Sequence, residues 1–285
     1  MTTENIFDRI QRIDRRVVFL VTALVITLPL LFPIGIPFVP SPYALSFHDA
    51  IEALPDGSVV LSMNAFGPED LEKMWAKRAM TNRLFEKNCK IIEVSFDAPG
   101  PIAMSKCYEE LLDQQLLATK TYGEDYIFLP YVAGIVVAYS AVARDIRSAT
   151  GGVDYYGDSL DSYPIMEDVN AATDVDFLAL TGHHTSTAIE PVVGQVQTYA
   201  NKPLVVISAG ISHALTSSFI ASGNIKAALE GLTDMAGYEL LIKDPGLNIA
   251  QMDVVSAHHL MLVLLIIVGN IVFLLSKNKK SEVKK

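Results

Sequence analysis

Cysteine is almost absent: Cys89 and Cys107 are the only two among 285 residues. No C-x-x-C and no paired Cys/His spacing accompanies them, which excludes a thiolate zinc site and a disulfide-stapled scaffold. A single Cys89–Cys107 bridge and two buried free thiols both stay open, because sequence does not supply the Cα separation a bridge needs. Phosphate-binding loops are missing as well. There is no G-x-G-x-x-G after a strand and no G-x-x-x-x-G-K-[ST], so no nucleotide cofactor is expected. The G-x-S-x-G elbow, the H-E-x-x-H helix and the twelve-residue EF-hand order are also lacking, which leaves no ready-made hydrolase or calcium signature. Basic residues are scarce where they would matter for polyanions. The chain has 22 Lys and Arg against 32 Asp and Glu; residues 1–16 and 276–285 hold 9 and 4 of these, leaving 13 basic and 28 acidic, a net of −15, in between. Nucleic acid and anionic headgroups are therefore poor partners for the central region.

What is present in quantity is apolar sequence, at 51% of the chain. Two uncharged runs, 17–39 and 254–275, are each long enough to cross a bilayer as a helix. Arg9, Arg12, Arg15 and Arg16 precede the first, and Lys277, Lys279, Lys280, Lys284 and Lys285 follow the second. Short basic flanks are retained in the cytoplasm. The expected layout is a cytoplasmic segment 1–16, a span 17–39, an extracytoplasmic domain 40–253, a span 254–275 and a basic cytoplasmic tail 276–285. A cleaved signal peptide competes for the first run, but the run is longer than a usual signal core and no A-x-A-like site follows it. Within the second run, Gly269 and Asn270 interrupt the apolar pattern. Asn270 is either a tolerated amide or a helix–helix contact within the chain or between copies. His258 and His259 fit the membrane interface better than a site.

Between the runs, short β-rich stretches alternate with amphipathic ones, the pattern of βαβ units and a mostly parallel sheet. Strands are expected at 58–63, 90–96, 125–129, 174–181 and 203–208. The first is led in by Pro55-Asp56-Gly57, a turn signal. Helices are expected after Gly67-Pro68-Glu69-Asp70, with Leu71, Met74, Trp75, Met80, Leu84 and Phe85 as the buried stripe, and at 104–118, 135–148, 189–200 and 225–241. The last carries Ala227, Ala228, Gly231, Ala236 and Gly237, small residues that permit close approach. The fold class is α/β: a doubly wound, Rossmann-like sheet of five strands between two transmembrane helices, in the order 3-2-1-4-5. The first and fourth strands then meet at the switch point, where such sheets bind ligands.

That edge defines the candidates. Asn64, Asp97, Thr181, Ser208 and Gly210 end or follow strands and are the ligand-binding candidates. Thr181-Gly182-His183-His184-Thr185-Ser186 concentrates two imidazoles and three hydroxyls at one strand exit. Adjacent histidines on extended backbone point to opposite sides, so at most one faces a given cleft. Asp97, His183 and His213 are the metal candidates, since a divalent ion needs three or four convergent ligands. His183 or His184 acting on a hydroxyl such as Ser208 is the acid–base alternative. Polar loop residues capping the next helix are the plain reading of the same segment. The insertion 150–163, with Asp154, Asp158, Asp161, Tyr155, Tyr156 and Tyr163, reads as an ordered surface loop, a protein contact or, less well, a calcium loop.

The layout resembles a family of uncharacterised two-pass membrane proteins. Ile13-Asp14-Arg15-Arg16, the strand–Gly67-Pro68–helix unit, Asp145-Ile146-Arg147 and Ser222-Gly223…Gly231-Leu232…Gly237-Tyr238-Glu239 carry the likeness. It implies a Rossmann-like outer domain on two anchors, and no catalytic residues. Three function classes follow, in order. The first is a scaffold whose outer domain self-associates or meets an envelope partner, with Asn270, Gly231 and Gly237 as assembly residues. The second is binding or sensing of a small ligand or cation at the strand ends. The third is an anchored hydrolase or metal enzyme using His183 or His184.

Overall fold

A computed structural model describes residues 14–32, 34–67, 69–182 and 185–282. The chain divides into two units, Phe38–Asn248 and a pair of flanking segments, Met1–Pro37 with Ile249–Lys285.

In the first unit, α2 (Pro42–Glu52) begins where Pro42 meets N-cap Ser41, whose Oγ accepts from the Ala44 N–H at 3.0 Å. Gly57 at φ 82 turns the chain into β1 (Val59–Ala65), followed by α3 (Leu71–Glu86), β2 (Lys90–Ser95) and α4 (Gly100–Lys106). Then come β3 (Tyr126–Tyr131), α5 (Val136–Arg144), β4 (Phe177–Gly182), β5 (Leu204–Ser208), α6 (His213–Ala221), β6 (Ala227–Glu230) and α7 (Leu232–Leu241). All strands are parallel, in the order β3-β2-β1-β4-β5-β6, so β1 and β4 are neighbours at the switch point as expected. Strand alternation sends Leu61, Met63, Leu178 and Val206 to one layer with Tyr139, Val142 and Val192, and Val60, Ala179 and Val205 to the other with Phe47, Met80, Phe85 and Tyr238. At about 1.5–3 kcal/mol for each fully buried large apolar side chain, these two layers hold the sheet.

Several expectations are corrected. The sheet has six strands, not five, because 225–241 is not one helix. Ala227–Glu230 has good helix formers but pairs with β5 in the register Val205↔Ala227 to Ser208↔Glu230, so sheet pairing overrides propensity. Gly231, at φ 77, makes the turn into α7. The 135–148 helix breaks at Asp145, which leaves helical geometry and caps Ile146–Thr150 by accepting from the Ser148 N–H at 2.9 Å. The 104–118 and 189–200 segments are likewise interrupted, by π-helical turns at Cys107–Leu111 and Val192–Gln197. Helix α2 lies outside the expected helices.

In the second unit, α1 (Arg15–Leu31) has 17 residues, about 25 Å at 1.5 Å per residue and short of a bilayer core of about 30 Å. Helix α8 (Leu247–Glu282) contains an apolar stretch through Leu275 long enough to cross one. Among the described residues it is the one helix that meets that requirement. The buried Asp253 carboxylate accepts from three successive backbone N–H groups, Ile34 and Gly35 at 2.8 Å and Ile36 at 2.7 Å, a backbone nest around an anion. Thr22 Oγ1 approaches Met261 Sδ at 3.9 Å. Asn270, exposed on α8, donates to the Ile266 carbonyl of its own helix at 2.9 Å.

Candidate functional site

Ser95, Asn64 and Thr181 are Cα partners across β2, β1 and β4, a row at about 4.8 Å spacing along the carboxyl edge of the sheet. All three are buried. The Asn64 amide donates to Glu93 Oε2 at 2.9 Å and to the Val94 carbonyl at 3.2 Å. Its Oδ1, and Thr181 Oγ1 beside it, have no hydrogen-bond partner among the described residues. A buried polar atom without a partner costs about 1–3 kcal/mol, so two side by side call for an explanation.

Beneath this row runs a charged network that sequence reading missed. Lys77, on the inner face of α3, is fully buried and donates to Ser62 Oγ at 2.6 Å and Glu93 Oε2 at 3.0 Å. Glu93, mid-strand in β2, also accepts from Tyr108 OH at 3.0 Å. Burial first, then the Glu93 charge, raises the Tyr108 hydroxyl well above its usual pKa, so it stays a donor. Ser62 and Lys77 have the residue types of a serine–lysine dyad. The geometry opposes that role: the ammonium is held against the Glu93 carboxylate in the core. One signal was legible, a Glu inside the apolar run Ile91-Ile92-Glu93-Val94, which a strand buried on both faces carries only with a partner.

The other candidates separate. Ser208 lies on the face of Val206, opposite Asn64 and Thr181, with Glu230 as its register partner in β6. His213 Nδ1 and Glu230 Oε2 are 2.7 Å apart. Glu230 is buried with Oε1 unpartnered among the described residues, as are Ser208 Oγ and Ser212 Oγ, while His213 is half-exposed and lies edge-on to Tyr43 at 5.2 Å. A buried carboxylate thus orients an accessible imidazole, an arrangement suited to moving a proton. Its partner Glu230 was hidden in the sequence because its segment reads as helix. Gly210 packs against Gly231, whose added Cβ would meet it at 3.4 Å.

Asp97 accepts from its neighbour Ala98 N–H at 3.0 Å and turns the chain into α4, where a side chain at Gly100 would collide with Ser95 Oγ. It follows β2 and His213 follows β5, three strand spacings or about 14 Å apart, too far to share a metal ion. His183 and His184 lie outside the described residues. Among the described residues no three His, Cys, Asp or Glu side chains gather as a metal site. Gly237 is buried, with an added Cβ placed 3.0 Å from Ala44 Cβ, so the close approach it permits is made inside the domain. Cys89 and Cys107 are free and buried, and burial pushes the Cys107 thiol up to about 12, an unreactive protonated form.

In the insertion, Asp154 is the organiser. Its carboxylate accepts from Tyr122 OH at 2.7 Å, Tyr163 OH at 2.8 Å, and the Tyr156 and Asp158 N–H groups at 2.9 Å. Burial works to raise its pKa, but these bonds together outweigh it and hold the carboxyl below its ordinary value. With those oxygens occupied, the loop reads as a covering for edge strand β3, to whose Phe128 carbonyl the Tyr155 N–H donates at 2.8 Å.

An open cleft of about 490 Å³, lined by Ala50, Leu54, Ser58, Asp176, Phe177 and Lys226 among others, lies at the amino edge. That is the end opposite the one where parallel sheets take ligands. Comparison with protein-family models, curated proteins and solved structures finds no match.

Proposed function

We propose that this chain is a two-pass membrane protein, both termini cytoplasmic, whose extracytoplasmic α/β domain binds a small polar ligand at the carboxyl ends of β1 and β4. The observation that supports it is the pair of adjacent unpartnered atoms, Asn64 Oδ1 and Thr181 Oγ1, at the switch point of the sheet. Oδ1 accepts and Oγ1 both donates and accepts, so they suit a ligand bearing hydroxyl or amine groups. Exposed Glu69 and half-exposed Asp97 on the adjoining loops favour a neutral or cationic ligand over an anion. The basic flanks of the two apolar runs support the topology, and the span in α8 supports anchorage.

The test is thermal unfolding of the full chain in mild detergent against a panel of uncharged and cationic polyols and amines. A binder raises the midpoint of the parent and loses its effect in Thr181→Val, which keeps shape but removes the hydroxyl. Thr181→Val more stable than the parent, with no panel member shifting the parent, would sink the reading.

Self-association is the second reading, favoured by Asn270, whose amide is exposed on the span. A strict monomer by particle size, unchanged in Asn270→Leu, disposes of it.

A further inference from the structure

The domain's two chain ends lie at the same edge of the sheet. At one, Ser41 Oγ donates to Asp234 Oδ1 at 2.6 Å in the first turn of α7, and Tyr43 rests on His213 just past β5. At the other, Asn248 Nδ2 donates to the Glu72 carbonyl at 3.0 Å in the first turn of α3, and Gly246 lies against Trp75 one turn into that helix. Helices α3 and α7 both start at the carboxyl ends of their strands, so the chain enters and leaves the domain at the carboxyl edge.

The loops of that edge are apolar on the outside. Leu71 follows β1 at 51% exposure and Ile102 follows β2 at 52%; Val136 and Val137 follow β3 at 45% and 74%, and Ile211 follows β5 at 87%. The opposite edge is different in kind, exposing Asp56, Asn88, Glu124, Asp176, Asn201 and Lys226. Single exposed apolar residues need no explanation, but apolar residues exposed on four loops of the same edge, up to 87% at Ile211, mark an interaction surface.

We infer that the carboxyl edge of the sheet rests on the bilayer, with Val137 and Ile211 at headgroup depth and Trp75 near the interface. The occupant follows from where the chain ends are: both connections leave at this edge, and an apolar span begins within α8. The one tryptophan of the chain, half-buried beside the exit at Gly246 with Arg78 over its ring at 5.1 Å, is the residue type interfaces collect. The lipid is zwitterionic by charge, since Glu69 and Asp97 on the same loops repel anionic headgroups. Contact of this kind reaches about 5–10 Å into the headgroup and acyl boundary. The inference rests on the anchored part of the reading above and not on the ligand.

The test places single cysteines in the full chain, reconstituted in phosphatidylcholine vesicles. The native thiols are buried, so an introduced one carries the label. Val137→Cys and Ile211→Cys with an environment-sensitive fluorophore lose about half their emission to lipids brominated near the headgroup, at the depth expected of interfacial residues. Asp56→Cys and Asp176→Cys are unaffected, and Leu265→Cys is quenched by lipids brominated deep in the chain. Quenching at Leu265 with none at 137 or 211 overturns the inference and leaves anchorage intact. No quenching at Leu265 overturns both. Energy transfer between copies labelled at 211, without lipid quenching, assigns the surface to a second copy and also overturns it.

Discussion

The two edges of one parallel sheet differ in almost every physical respect. The amino edge is charged and opens a cleft lined by the segments that lead into β1, β4, β5 and β6. The carboxyl edge is apolar outside, receives both chain ends and carries buried polar atoms without partners just inside. The open cleft and the buried polar atoms without partners therefore lie at opposite edges of this sheet. Chemistry favours the carboxyl edge, because buried polar atoms at the switch point of a parallel sheet lie where such sheets take ligands.

The largest expected effect lies in the network under the carboxyl edge. Lys77→Met leaves Glu93 charged, buried and unpaired, and should cost about 3–5 kcal/mol in denaturant unfolding. Adding Glu93→Gln, which keeps a partner for Asn64 and Tyr108 without the charge, should recover more than half. No recovery would mean that the network does more than neutralise itself.

Next is the close packing where α4 meets β2. Gly100→Ala forces Ser95 aside and should cost about 1–3 kcal/mol, because overpacking at a fixed backbone contact has few ways to relax. At the amino edge, Gly57→Ala meets open space and strains only the φ 82 backbone, about 1 kcal/mol. Equal losses at the two sites would remove the distinction between a tight edge and an open one.

The smallest concerns acid. The Asp154 carboxyl is held below its ordinary pKa when folded, so its contribution is complete above that value and disappears as pH falls through the lower folded value. Asp154→Asn should lower stability by about 1 kcal/mol at pH 7 and flatten the loss of stability below about pH 4. A parent and variant with parallel acid limbs would show that the loop does not depend on this charge.

Much of the scaffold was legible in residues 58–208. Periodicity and turn signals located five strands, because each is a short apolar run set off by loop residues, as in Pro55-Asp56-Gly57 before β1, and the doubly wound pattern supplied their order. The sixth escaped because Ala227–Glu230 consists of helix formers, and only the neighbouring β5 makes it a strand. That one error concealed Glu230 from His213, and so the pairing at the carboxyl edge.

Composition and chain order alone determined that an acidic α/β domain lies between two apolar runs, since hydrophobic period and charge counts are local properties that survive without a fold. Only tertiary structure decided which candidates meet. Asn64 with Thr181 and His213 with Glu230 are joined by strand pairing across long sequence separations, while Asp97 and His213 are parted by three strands. It also brought Leu71, Ile102, Val137 and Ile211, scattered along the chain, to one edge. Parallel topology returns every strand to the same end, and with it every loop that follows one.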